Sequence, residues 1–203
     1  MRTLSLSLLT CALLLAPTMA HAGANAGAVA YLSWKGQTST DLPSPADGQV
    51  VYVNFKNLTD YKGGEVLLIW TPDSGCTEST GLAHGDLSYP TSGACAINRG
   101  TVVPIVAADG PGVLHVAWAS DKSSTCTSGI AVAIPFQFGG CSSEGGCLNI
   151  ASALVIDGQG QNLQDVATVS GTGLTFRGGS ATDCKPGPRG RSWAKIKSIY
   201  GHK

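Results

Sequence analysis

Residues 49–72 read QVVYVNFKNLTDYKGGEVLLIWTP, and the alternation within this stretch decides the fold class. In 49–56, Val51, Val53 and Phe55 fall on one face of an extended chain and Val50, Tyr52 and Asn54 on the other. In 65–71 both faces are apolar, with Val66, Leu68 and Trp70 opposed by Leu67 and Ile69. Between them Asn57, Asp60, Gly63 and Gly64 predict a loop, and Thr71-Pro72-Asp73 ends the second strand. A short run apolar on both faces predicts an interior strand covered from two sides. Such a strand requires a second layer supplied by the same chain.

Outward from this pair, similar runs recur at 29–34, 101–107, 112–119, 129–138, 148–156, 164–169 and 174–177. Turn signals separate them: Asp47-Gly48, Asp109-Gly110-Pro111-Gly112, Ser128-Gly129, Gly139-Gly140 and Asp157-Gly158. No stretch before the C-terminus keeps apolar residues at helical spacing for three turns. About nine short strands predict an all-β protein, a single β-sandwich or jelly roll. Residues 23–184 are long enough to bury one good core.

Residues 1–22 predict a signal peptide. Arg2 supplies the positive start, 4–15 the apolar run, and Ala20-His21-Ala22 the small residues a signal peptidase reads, with cleavage before Gly23. The run is short for a membrane anchor, and no transmembrane segment is expected in the mature chain. Lipidation at Cys11 is the competing reading, opposed by Thr10 before it and by the position of Cys11 inside the apolar run. Removing the signal leaves Cys76, Cys95, Cys126, Cys141, Cys147 and Cys184. An even number in an exported chain predicts disulfides. Zinc is disfavoured, since no Cys-x-x-Cys pair is present and His84, His115 and His202 do not cluster. Nearest-neighbour pairing predicts Cys76–Cys95, Cys141–Cys147 and Cys126–Cys184, staples on long loops.

The strand order resembles the cohesin-like, carbohydrate-binding-module-like β-sandwiches of secreted bacterial proteins. The residues that carry the resemblance are VVYVNFKNLTDYKGGEVLLIWTPDS at 50–74, PGVLHVAWAS at 111–120, SGIAVAIPFQF at 128–138 and LVIDGQG at 154–160. Thr71-Pro72-Asp73 stands where that family has an Asp-Pro step. Strand patterning over 29–176 carries the likeness, and it implies a cohesin-like sandwich.

Candidate chemistry is sparse. No Gly-x-Ser-x-Gly elbow, His-Glu-x-x-His or phosphate-cradling loop occurs. His84 with Asp86 is a conceivable acid–base pair set against a plain polar-loop histidine. His115, opposite in parity to Leu114, Val116 and Trp118, reads as a half-exposed strand residue. The acidic residues are scattered and nominate no carboxylate pair. Asp157, Asn162 and Asp165 form a weak calcium candidate, set against a glycine-rich turn between strands. Trp34, Trp70 and Trp118 fall in strand patterns and predict core positions, whereas Tyr61 and Tyr89 read as loop residues open to solvent. Asn57-Leu58-Thr59 matches a glycosylation sequon.

The last segment differs from the body. Residues 185–203 hold six basic residues and no acidic one, while 23–184 hold six basic and thirteen acidic, so the tail is at +6 and the body at −7. Residues 185–191, KPGPRGR, read as a linker. After Ser192, Trp193, Ile196 and Tyr200 share one face of a short helix, with Lys197 beside them. SWAKIKSIY at 192–200 looks like the short C-terminal tags that address exported proteins to the cell surface. The alternative is a basic tail folding onto the acidic body.

Together these readings predict a non-catalytic protein, secreted or at the cell surface, that works in recognition or adhesion through its loops. Its partners would be an extracellular protein or polysaccharide, and sorting machinery for the tail. Nucleic acid is not expected, and no cofactor is called for beyond the calcium candidate. A carbohydrate-binding module needs an exposed aromatic row. A hydrolase needs His84 and a carboxylate to converge in a pocket.

Overall fold

A computed structural model of the chain describes residues 23–71, 83–110, 112–138, 145–158, 164–170 and 173–180. The signal segment 1–22, Cys76, Cys141, Asn162, Cys184 and the tail with Trp193, Ile196, Lys197 and Tyr200 lie outside them. Twelve strands run in chain order: β1 Val29–Trp34, β2 Asp41–Leu42, β3 Gln49–Lys56, β4 Tyr61–Thr71, β5 Ala83–His84 and β6 Arg99–Gly110. They continue with β7 Val113–Ser124, β8 Ser128–Gln137, β9 Gly146–Ile156, β10 Gln164–Val166, β11 Thr168–Val169 and β12 Leu174–Phe176. None of the described residues is helical.

The strands form two sheets. One has the order β11-β1-β3-β8-β5, and the other β2-β12-β9-β4-β7-β6 with β10 also on β9. Alternation places the core between them. Val51, Val53 and Phe55 of β3 are fully buried, as are Val66 and Leu68 of β4 and Leu114 and Val116 of β7. Aromatic pairs tie layer to layer: Trp70 meets Phe136 edge-on at 5.6 Å, Trp118 meets Phe55 at 6.4 Å, and Phe176 meets Phe138 at 5.1 Å. These T-shaped and tilted geometries bring edge hydrogens to ring faces and add to the area each ring removes from water.

Three sequence expectations change. The expected loop at Gly63-Gly64 is strand, since β4 begins at Tyr61 and pairs through Gly63 with Ala119 and Ile156. Glycine is there for space: a Cβ on Gly63 would stand 2.3 Å from the Trp118 carbonyl oxygen, and one on Gly64 3.0 Å from the Trp118 ring. The run 164–169 is split between sheets. Ala167 donates its N–H to Ala153 of β9, and Thr168 donates to Ala28 just before β1, so one residue carries the chain across. Finally, β4 lies inside its sheet between β9 and β7, but its outer residues Leu67 and Ile69 are half-buried rather than covered. The short strands β2 and β5 hold two residues each, too few to carry any period.

The disulfides differ from nearest-neighbour pairing as well. Cys95 is bonded to Cys126, which overturns both Cys76–Cys95 and Cys126–Cys184. The cause is the β6–β7 ladder. Arg99 pairs with Lys122, and four residues outward along each arm stand Cys95 and Cys126. The bridge spans 31 residues of sequence and in the chain-entropy model contributes about 3.5 kcal/mol. Cys147 is disulfide-bonded too.

Candidate docking face

Strand parity and ladder register place one set of side chains on the outside of the larger sheet. Val166 of β10 pairs with Leu154, Leu154 with Glu65, Glu65 with Ala117 and Ala117 with Ile105. Partners in register point to the same side, so these five residues form one row across β10, β9, β4, β7 and β6. At about 4.8 Å per strand the row is about 19 Å long. A neighbouring row runs Ile156, Gly63, Ala119 and Val103. Below lie Leu67 beside His115, then Asn149, Ile69 and Val113.

Both ends of this face, β6 and β10, present exposed apolar side chains. Val103, Ile105 and Val166 are 60%, 63% and 73% exposed. Gly63, Ala117 and Ala119 keep its middle low, so the apolar side chains stand around a shallow floor. Four rows span about 400 Å², with Glu65, His115, Ser152 and Asn149 set among the apolar side chains.

One polar pair is set into it. His115 Nε2 lies 2.6 Å from Glu65 Oε1, with the imidazole almost wholly buried and the carboxylate partly open. The expected half-exposed His115 is therefore corrected: alternation put it outward, but cross-strand packing beside Leu67 covers it. The pair gives the apolar face a fixed acceptor, since Glu65 keeps a second oxygen.

The edge of the sheet is built against simple strand addition. β6 carries Pro104, which has no N–H to offer, and register shifts between Arg99 and Val102 and between Val106 and Ala108. Bulges and proline break the row of backbone groups on which another strand would grow. Contacts to this region therefore fall on side chains of the face.

The remaining candidates from the sequence find other places. Trp34, Trp70 and Trp118 are buried as expected, at 1%, 4% and 1% exposure. Tyr61 is not an exposed loop residue: it opens β4, is fully buried, and its hydroxyl accepts from Trp118 Nε1 at 2.7 Å and donates to Asn98 Oδ1 at 3.4 Å. Burial drives its phenol well above the ordinary range, against the opposing pull of the Trp118 hydrogen bond. Tyr89 is half-buried with its ring 5.9 Å from Trp118, and burial pushes its phenol up to about 12. Loop signals surround both tyrosines, and it is packing against Trp118 that draws them in.

His84 turns from Asp86 to Asp109, with Nε2 3.1 Å from Asp109 Oδ1 and Nδ1 2.8 Å from the Gly85 carbonyl. Since β5 edges one sheet and β6 the other, this contact laces the open side of the sandwich, against Trp70. Among the described residues no group of three or more His, Cys, Asp or Glu is placed to hold a metal ion. Of the calcium candidates, Asp157 and Asp165 are both buried. Asp165 spends both oxygens on the backbone N–H groups of Gly23 and Asn25. Asn57 of the sequon is exposed with φ 59°, a left-handed turn position that asparagine tolerates well.

Solved structures similar to this chain include cohesins. A non-cellulosomal cohesin from the archaeon Archaeoglobus fulgidus has 16% identity and a TM-score of 0.49, covering 74% of this chain and 89% of that one. The sixth cohesin of Acetivibrio cellulolyticus scaffoldin B, solved with a Cel5 dockerin mutant, has 14% identity and a TM-score of 0.49 over 74% of this chain and 97% of that one. A cohesin module from a Clostridium perfringens family 33 glycoside hydrolase has 14% identity and a TM-score of 0.46, covering 70% and 98%. No family model matches the chain, and no curated protein matches it in sequence.

Proposed function

We propose that this chain is an exported, disulfide-stapled recognition module without catalytic work, and that it grips a protein partner outside the cell. The observation that carries the reading is the cross-strand row Val166–Leu154–Glu65–Ala117–Ile105, apolar at both ends with one carboxylate in the middle. A partner that fits presents apolar side chains around a cation that reaches Glu65. The body's charge of −7 favours approach of a basic surface. About 400 Å² is half the ~800 Å² per partner usual in a stable complex, so the face alone suits a transient grip and loops must add area for a lasting one.

Export is supported by the residues at 1–22 and by the bonded Cys95, Cys126 and Cys147. The tail, with Trp193, Ile196, Lys197 and Tyr200, would address the protein to the surface. The carbohydrate-binding alternative loses its tryptophans to the core. On the opposite sheet Tyr31 and Tyr52 are half-exposed on adjacent strands, which gives that alternative its own test.

A photoreactive residue in place of Ile105, activated on cells that export the protein, reads the occupant directly. An adduct with a second polypeptide that Leu154→Asp removes is expected. An adduct confined to residues 192–200 of the same chain would instead mean that the tail covers the face. Binding to a glycan array that Tyr31→Ala with Tyr52→Ala abolishes, with no protein adduct at 105, would replace this reading with the carbohydrate one.

A further inference from the structure

The turn at 23–28, ahead of β1, is held by side chains from other strands. Asp165 of β10 accepts the N–H of Gly23 on Oδ1 at 2.8 Å and that of Asn25 on Oδ2 at 2.7 Å. Asn25 is fully buried, and its Oδ1 accepts from the N–H groups of Thr59 and Asp60 at 3.0 and 3.3 Å while its Nδ2 donates to the Asp60 carbonyl. Ala28 then accepts from Thr168, so β1 leaves the turn already aligned with β11.

Asp165 is only 7% exposed, and among the described residues no Lys, Arg or His pairs with it. Charged residues of both signs lie at this end of the molecule: Lys56 pairs with Val29, and Lys62 follows Tyr61 in β4. Asp157 follows β9, whose Ile156 pairs with Gln164. Asp60 lies beside Gly158 and supplies the backbone that Asn25 holds. A buried carboxylate served by two neutral donors and no cation is an expensive arrangement. The nitrogen on its Oδ1 belongs to Gly23, the residue that cleavage after Ala22 makes first. A Cβ at this position would stand 2.4 Å from Asp165 Oδ2, so a larger residue would have to push the carboxylate aside.

We propose that Asp165 is a built acceptor for the α-ammonium that signal cleavage creates at Gly23, so that processing completes a buried ion pair locking the N-terminal turn onto β10. Before cleavage the Gly23 nitrogen is a neutral amide with one hydrogen to donate. Afterwards it carries a full charge and three donors, and charge-assisted hydrogen bonds are about twice as strong as neutral ones. The precursor therefore holds the turn loosely and the mature chain holds it firmly. This inference rests on the export reading of residues 1–22.

The test compares three disulfide-formed chains: one starting at Gly23 with a free amine, the same chain acetylated on that amine, and one that keeps Ala22. The free-amine chain is expected to melt about 3–8 °C above both others. In Asp165→Asn the three should coincide. Equal melting of the three wild-type chains overturns the proposal, and so does a gap that survives Asp165→Asn. Should Asp165→Asn fail to fold, acylation of the Gly23 amine by an active ester decides: slower in the folded chain than in the urea-unfolded one supports the pair, and equal rates overturn it. The intact mass of the exported protein tests the underlying reading separately. A start at Gly23 supports it, and a start elsewhere removes processing from the proposal, even where the melting gap establishes the pair itself.

Discussion

Trp70 and His84 touch edge-to-face at 6.5 Å, yet they matter to different degrees. Trp70→Ala removes a core ring that also packs on Phe136, and is expected to destabilise by about 3–5 kcal/mol. His84→Ala removes a contact to a largely exposed Asp109 and one side of the Trp70 cage, so about 1 kcal/mol is expected. Urea melts of the two variants measure both. Equal losses would mean that Trp70 is not the anchor between the sheets. A second expectation at this scale concerns Tyr61 and Tyr89, whose phenols burial raises above the ordinary tyrosine value of about 10. The folded state prefers them neutral. Their contribution is therefore whole below about pH 10 and is lost as pH rises through about 12 for Tyr89 and beyond for Tyr61. Phenolate absorbance and circular dichroism followed together should show two tyrosines that ionise only as the fold is lost. Ionisation of every tyrosine near pH 10 with the fold intact would contradict their burial.

At the scale of elements, the β6–β7 hairpin forms one edge of the larger sheet, with β6 paired on one side alone. The Cys95–Cys126 bridge closes the base of that hairpin. Replacing both cysteines by serine should lower stability by about 2–4 kcal/mol, or about 5–15 °C in melting temperature. Hydrogen exchange should show the loss concentrated in 99–124, with β3 and β8 of the other sheet protected as before. A uniform loss across both sheets would mean the hairpin does not open on its own. The bulges in β6 had no sequence signal beyond Pro104 and Gly100. Gly100 holds φ 70° where the Asp121 carboxylate caps the Thr101 N–H, and that cross-strand cap exists only once β7 is in place.

For the whole molecule, the body and the basic tail should separate. Deleting 192–203 is expected to leave the melting temperature unchanged, within about 1 °C, because the described core closes with Phe176 of β12. The same deletion should stop the protein reaching the cell surface. Fractionation of cells expressing each form, beside melts of the purified bodies, reads both. A fall of many degrees with normal localisation would make the tail part of the fold, seated on the acidic body or on the apolar face around Ile105.

The sequence by itself determined where most strands lie and which residues share a face. β1 and β3 begin and end where alternation placed them, and Val51, Val53, Phe55, Trp34 and Trp118 are as buried as their parity required. That much is local, since a period of two is a property of one strand alone. The tertiary structure decided everything that depends on a partner: that Gly63 and Gly64 make room for Trp118, that Cys95 meets Cys126, that Tyr61 and His115 are covered, and that Asp165 reaches back to Gly23. It also left Ile105 and Val103 open on an outer face. The reason is physical. Alternation says which way a side chain points, but burial and bonding depend on what another strand, distant in sequence, brings to meet it.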